Sequence, residues 1–276
     1  MYFIAEDKNA YEIHKFDEFY YYYDEHGDYL YMRMIIWSIN KQDILSDPYY
    51  MYDINTIKMF KLKITPGYIS TFCRYGDINF LEWWKKSGLK LEYDDYSLET
   101  ASQYGQIDVL DWWKNSGLKL KYSNALNHAS SRGCVNALEW WKNSGLELQY
   151  SEDELHNASF YGHINVLEWW KNSGLELKYS HRALDSASYN FKVDTLEWWK
   201  NSGLPLKYSN HAIDNIVFKW YINQDIQIHI NVLEWWKNSG LELKYSSENL
   251  HIDKIPTYNY IINWWKNSGL PPILIK

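Results

Sequence analysis

What this chain of 276 residues lacks narrows its chemistry before anything else does. It has only two cysteines, Cys73 and Cys134, too few for a disulfide framework, which points to an intracellular, cytoplasmic setting. No stretch approaches the roughly 18 uninterrupted apolar residues of a membrane span. The opening MYFIAEDKNA is acidic, with no apolar run after positive charge, and does not read as a secretory signal. A basic stripe is also missing. Residues 1–30 hold eight acids and two bases, and the remaining 27 acids and 26 bases nearly balance in a chain of formal charge −7. Nothing there would track a phosphate backbone, so nucleic acid is not an expected partner. There is no His-x3-His or Cys-x2-Cys grouping, so no metal site is expected, and His156, His163, His181, His211, His229 and His251 read as structural. Without a nucleophile motif, a Gly-rich phosphate loop or converging carboxylates, the expected catalytic residues, cofactors and small-molecule substrates are none.

What the chain has in excess is aromatic: 16 Trp and 26 Tyr. Fourteen of the tryptophans form adjacent pairs at 83–84, 112–113, 140–141, 169–170, 198–199, 235–236 and 264–265, spaced 29, 28, 29, 29, 37 and 29 residues apart. A fixed period of this size means stacked supersecondary units. One unit, 151–179, reads SEDELHNASFYGHINVLEWWKNSGLELKY. Its second half predicts a helix of about two turns ending at Ser173-Gly174-Leu175, where Gly supplies the left-handed residue of a helix end. Asn165 stands three residues before Glu168, the spacing of a capping box, so Asn79, Asp108, Asn136, Asn165, Asp194, Asn231 and Asn259 are expected as N-caps. Val166, Leu167, Trp170 and Ser173 share one face, while Trp169 falls on its flank, open to either burial or exposure. The first half predicts another short helix, capped by Ser151 with Glu154 three residues on, and ended by Gly162. Small pairs recur on it (Ala101-Ser102, Ala129-Ser130, Ala158-Ser159, Ala187-Ser188), as a crowded helix–helix contact requires. Leu175, Leu177 and Tyr179 alternate with polar residues in an extended connector with one buried edge.

The string LHNASFYGHINVLEWWKNSG resembles the ankyrin repeat: Leu-His, a small pair, Gly-His, then a hydrophobic helix ending in Gly. The Trp-pair variant is similar to ankyrin-repeat proteins carried by giant DNA viruses of amoebae. Two departures stand out: Asp153-Glu154 replaces the family's Thr-Pro, and the shorter period removes residues between Gly174 and Leu184, where the family's projecting hairpin lies. The resemblance implies an all-α, ankyrin-like helix–turn–helix solenoid with shortened hairpin connectors. Seven repeats of about 29 residues would fill 67–276, after an acidic, Tyr-rich capping region at 1–66 with a degenerate repeat around INTIKMF (54–60). In the fifth unit Phe191 stands where Gly is expected, which leaves Asn190 to take the left-handed turn. The sixth carries eight extra residues around KWYINQDIQ (219–227), the last contains Pro256, and PPILIK closes the chain as a cap. Within 16–40, Glu25-His26-Gly27-Asp28 reads as a turn between extended or helical arms.

Between units the scaffold positions barely change, whereas the two residues before the turn Gly do: Arg74-Tyr75, Gln103-Tyr104, Ser131-Arg132, Phe160-Tyr161 and Tyr189-Asn190. In the family these positions lie on the concave face and contact a partner, and Tyr with Arg is the composition of protein-contact hot spots. The implied function is a non-catalytic protein–protein interaction scaffold or adaptor, with a host protein as partner if the viral likeness extends that far. The alternative is a structural or self-associating, particle-associated component using the Trp169-type flank or the array ends.

Overall fold

The structure is a computed structural model and describes residues 2–6, 11–15, 31–38, 41–44, 49–50, 52–218, 226–246 and 259–269. Two compact units divide it: Met1–Ala101 with Asp108–Tyr122, and Ser102–Ile107 with Ser123–Lys276. The expected turn at 25–28, Pro256, His251 and the PPILIK ending lie outside the described residues, as do 219–225 of the sixth-unit insertion.

In the first unit, β1 (Tyr2–Glu6), β2 (Tyr11–Lys15), β3 (Tyr31–Ser38), β4 (Lys41–Ile44) and β5 (Tyr49–Tyr50) form an antiparallel sheet of order β2-β1-β3-β4, with β5 also paired to β3. Of the arms that the sequence left open as extended or helical within 16–40, residues 31–38 are extended, as β3, and 16–30 lie outside the described residues. Helix α1 (Ile54–Phe60) follows, capped by the Asp53 carboxylate, which accepts from the Thr56 N–H at 2.9 Å. It occupies the place of the degenerate repeat.

Both units hold ankyrin-like pairs of short helices, and among the described residues the connectors between pairs form no strand. The pairs are α2 (Pro66–Tyr75) with α3 (Ile78–Lys86), α4 (Tyr96–Gln103) with α5 (Ile107–Asn115), and α6 (Ala125–Arg132) with α7 (Val135–Asn143). They continue as α8 (Asp153–Tyr161) with α9 (Ile164–Asn172), α10 (Arg182–Tyr189) with α11 (Val193–Asn201), and α12 (His211–Phe218) with α13 (Ile226–Asn238). Helix α14 (Asn259–Asn267) follows. In the second unit α6, α8, α10 and α12 pack successively, as do α7, α9, α11 and α13. The second Trp of each pair is core: Trp84, Trp113, Trp141, Trp170 and Trp199 are 0% exposed. The connector alternates as expected, with Leu175, Leu177 and Tyr179 half-buried and Glu176 and Lys178 between them exposed.

Three local expectations are corrected. Of the Asn and Asp residues proposed as caps, Asn79, Asp108, Asn136, Asn165 and Asp194 are the second residues of their helices, Asn231 lies well inside α13, and Asn259 is the first residue of α14. The residues at the cap are Asp77, Cys134, His163 and Lys192, and among these only Asp77 caps with its side chain. The reason is geometric: after the left-handed Gly, a single non-helical residue suffices to start the second helix. Asn136 and Asn165 instead donate to the Gly105 and Gly133 carbonyls of the preceding turn, each at 3.1 Å. Glu168 completes no capping box either, because its carboxylate accepts from Trp198 and Asn172. Finally, Phe191 itself takes the left-handed conformation (φ 57°), while Asn190 stays at φ −101°. The Phe191 ring lies 4.5 Å from the ring of buried His229.

The capping of α8 is only partly the expected one. Ser151 Oγ accepts from the Asp153 N–H at 3.1 Å, and Glu154 reaches back to the Ser151 N–H at 2.8 Å. Glu154 is buried, and burial pushes its carboxyl up to about 7.

Candidate functional site

A hydrogen-bond ladder sets the scaffold on which any site must sit. Four core indoles of the second unit donate to the small residue of the preceding repeat: Trp141 to Ser102, Trp170 to Ser130, Trp199 to Ser159 and Trp236 to Ser188, at 2.8–3.1 Å; at the start of the array the buried Trp84 indole has no such acceptor among the described residues. In the first unit Trp113 donates to Cys73 Sγ at 3.3 Å. The small pair is therefore an acceptor as well as a close contact. Cys73 is fully buried, and burial pushes its thiol up to about 12, so it is an unreactive stand-in for serine.

The first Trp of each pair has a parallel role. Trp112 donates to Glu82, Trp169 to Glu139, Trp198 to Glu168 and Trp235 to Glu197, at 2.6–2.9 Å. Trp169 and Trp198 are half-buried and Trp112 is buried. These bonds, with that from Asn143 to Glu139 and its equivalents, hold Glu139, Glu168 and Glu197 below the ordinary carboxylate range. The aromatic ladder thus keeps its polar edges for its own neighbours.

The ten sequence-predicted contact residues all fall at the C-terminal ends of first helices. In the first unit Arg74 is half-buried with its guanidinium 5.7 Å from the exposed Tyr75 ring. In the second, Gln103, Ser131, Phe160 and Tyr189 are half-buried, whereas Tyr104, Arg132 and Tyr161 are exposed. Asn190 departs from that pattern and is half-buried beside the Phe191 turn. Within this unit the arrangement brings several of them together. The Arg132 guanidinium lies 5.9 Å from the Tyr104 ring, and Phe160 lies 4.9 Å from Tyr161 and 6.4 Å from Tyr189.

Sequence reasoning missed the residue after the turn Gly, or after Phe191 in its place, although it varies as freely: Asp77, Gln106, Cys134, His163 and Lys192. The His163 ring rests on the Gly133 turn, with Nε2 3.0 Å from the Ser131 carbonyl, and stacks with Tyr161 at 6.1 Å. The Lys192 stem lies over Gly162 in the same way. A shallow cleft beside this row is lined by Tyr161, Ile164, Phe191, Lys192, Val193 and Asp194. His156 and His163 bond between repeats, whereas His181 Nδ1 meets Asp185 four residues on and His229 Nδ1 meets the Ile216 carbonyl, each at 2.9 Å. His156 Nδ1 faces the Arg182 carbonyl and Ser186 Oγ, and burial holds its pKa below the ordinary value.

Among the described residues, no group of three or more His, Cys, Asp or Glu could hold a metal ion, and no helix is long and apolar enough to cross a membrane. No protein-family model and no curated protein matches the sequence. Among solved structures, the chain is similar to the human ASB11 ankyrin repeat domain, at 14% identity over 74% of this chain and 98% of that one, with a TM-score of 0.49. The class stated above, an ankyrin-like array of helix pairs, rests on the helices, their left-handed glycine turns and the stub connectors themselves.

Proposed function

We propose that this protein is a non-catalytic protein–protein interaction scaffold, binding a partner through the turn row at the ends of its first helices, within a 67–276 array preceded by a 1–66 capping region. The observation that carries the reading is the contrast between two sets of positions. Ladder residues repeat their identity and engage one another, whereas the turn row changes identity from unit to unit and holds exposed Tyr75, Tyr104, Arg132 and Tyr161. Aromatic and Arg side chains on a rigid support lose little freedom on binding, which favours affinity. An intracellular setting and a host-protein partner belong to the same reading, through the viral likeness. The self-associating alternative draws less support, since the Trp169-type indoles spend their N–H groups on Glu139 and its equivalents.

The test is affinity capture from host-cell lysate with the intact chain beside a variant carrying Tyr75→Ala, Arg132→Ala, Phe160→Ala and Tyr161→Ala. A partner held by the first and lost by the second, with helical content unchanged, supports the scaffold reading. Equal recovery would sink it.

A further inference from the structure

The sheet of the first unit runs β2-β1-β3-β4, which puts β2 (Tyr11–Lys15) at one end of it. Strand β2 pairs with β1 on one side, and among the described residues no strand pairs with its other side. An extended backbone turns its N–H and C=O groups to alternate sides, so such an edge is a template for a further strand. The register with β1 sets Ala5, Phe3 and Tyr2 opposite Glu12, His14 and Lys15. The acid and the two bases of β2 therefore stand opposite no residue of the other sign in β1.

The strand reads Tyr-Glu-Ile-His-Lys, an order that suits pairing with itself. Two copies of one strand can pair antiparallel about a two-fold axis. Opposed residues must either exchange backbone hydrogen bonds or turn away together, so the axis passes between two copies of one residue. Centred on Glu12, the register sets that acid against its own copy. Centred on His14, it leaves Tyr11 and Glu12 with no opposite residue in β2. Centred on Ile13, it opposes the whole strand: Glu12 to His14, Tyr11 to Lys15, and Ile13 to its copy. Opposed acid and base stabilise a strand pair, and like charges destabilise it. Symmetry makes each such pair occur twice. The far edge, β4 (Lys41–Ile44), fits less well, because the symmetric register that opposes Lys41 to Asp43 engages only Lys41, Gln42 and Asp43.

We propose that β2 is a homodimerisation edge: a second copy of this chain adds its own β2 antiparallel, in the register centred on Ile13, and continues the sheet from one copy into the other. The proposal goes beyond the scaffold reading and does not depend on it, since β2 lies outside the repeats. Joined copies carry two turn rows, which raises avidity for a partner that presents its own site more than once. The surface also differs from the Trp169-type flank and the array ends, which the sequence alone offered for self-association.

The experiment is sedimentation equilibrium on the full chain, in a concentration series reaching the high micromolar range, because one strand pair is a small interface. Reversible monomer–dimer exchange is expected, and amide hydrogen exchange within 11–15 should slow as the dimer fills. Glu12→Lys sets a base against His14, and His14→Glu sets an acid against Glu12, so each single variant should weaken the dimer at least about fivefold. The Glu12→Lys, His14→Glu double variant restores opposite charges and should recover most of the wild-type affinity, which mere damage to the sheet would not allow. A chain that stays monomeric throughout the series overturns the proposal. So does a dimer unmoved by both single variants, one whose double variant is as weak as the singles, or one whose 11–15 amides exchange as fast as the monomer's.

Discussion

Ser159→Ala isolates one rung of the ladder. Ser159 Oγ donates to the Leu155 carbonyl at 2.7 Å and accepts from the Trp199 indole at 3.0 Å, and both residues are 0% exposed. Removing the hydroxyl leaves the Leu155 carbonyl its place in α8 but strands the Trp199 N–H in the core. The loss of a buried donor's partner costs about 1–3 kcal/mol. In a chain of this size each kcal/mol lowers Tm by roughly 2–4 °C. Ser159→Cys supplies the internal control, because Cys73 already accepts from Trp113 in the equivalent rung at 3.3 Å. It should lose less than half of what alanine loses, although its sulfur is larger. Thermal melts followed by far-UV circular dichroism give the stabilities. The Trp199 indole proton in a 15N-Trp spectrum reports the rung itself, moving upfield in the alanine variant and exchanging faster with solvent. The reasoning is refuted if alanine and wild type melt together, or if cysteine is as damaging as alanine.

Glu154 should make stability depend on pH. Its folded pKa of about 7 stands above the unfolded value of 4.5 because burial disfavours the charge, so the folded chain holds the proton longer. Raising the pH from 4.5 through 7 therefore favours the unfolded state, by up to about 3 kcal/mol. Glu154→Gln should remove that slope in urea midpoints measured across the window, and an identical slope would refute the assignment. The two cysteines should react unequally: a disulfide reagent should reach half-exposed Cys134 in the native protein, and Cys73 only after denaturation. Two turn glycines should separate strain from crowding. Gly174→Ala meets nothing within 4 Å and should cost about 1–2 kcal/mol from its left-handed φ alone. Gly133→Ala should cost more, since its Cβ would stand 2.9 Å from a His163 ring held at Ser131, and equal melting temperatures would refute that contact.

Much of this architecture was readable because period and burial are one-dimensional signals. The 29-residue spacing, the Gly162 and Gly174 helix ends and the buried Trp170 column all follow from residues close in sequence. Partnership across units was harder. Small residues after Ala read as a crowding requirement, yet the second position holds Ser or Cys in every unit from 73 to 188, and that restriction to side chains able to accept was the available signal. The Asn165-x-x-Glu168 pattern misled because both residues bond to other units, Asn165 to the Gly133 turn and Glu168 to Trp198. Phe191 misled differently. Propensity assigns the left-handed residue to Asn190, but Phe191 takes it, at a strain of about 1–2 kcal/mol, with its ring 4.5 Å from that of His229. For the site, the variable pair before each Gly could be picked out within one chain. The contribution of His163 and Lys192 could not, because each leans over the preceding unit's turn.

The sixth unit shows why a scaffold of this kind can vary without losing its order. Its insertion lengthens the sequence separation of the core rung from 40 residues in Trp199–Ser159 to 48 in Trp236–Ser188, and of the flanking rung from 30 in Trp198–Glu168 to 38 in Trp235–Glu197. The bond lengths hardly change, 3.0 against 2.8 Å for the core rung and 2.9 against 2.8 Å for the flank. Each rung involves only one helix position in each of two adjacent units, so the segment between first and second helix is free of ladder duty. Stability in such an array is a sum of neighbour terms, and a change that leaves both rungs intact leaves the sum nearly intact. The same independence frees the turn row: Tyr104, Arg132 and Tyr161 contribute no rung, so substituting them should alter binding while the array melts as before.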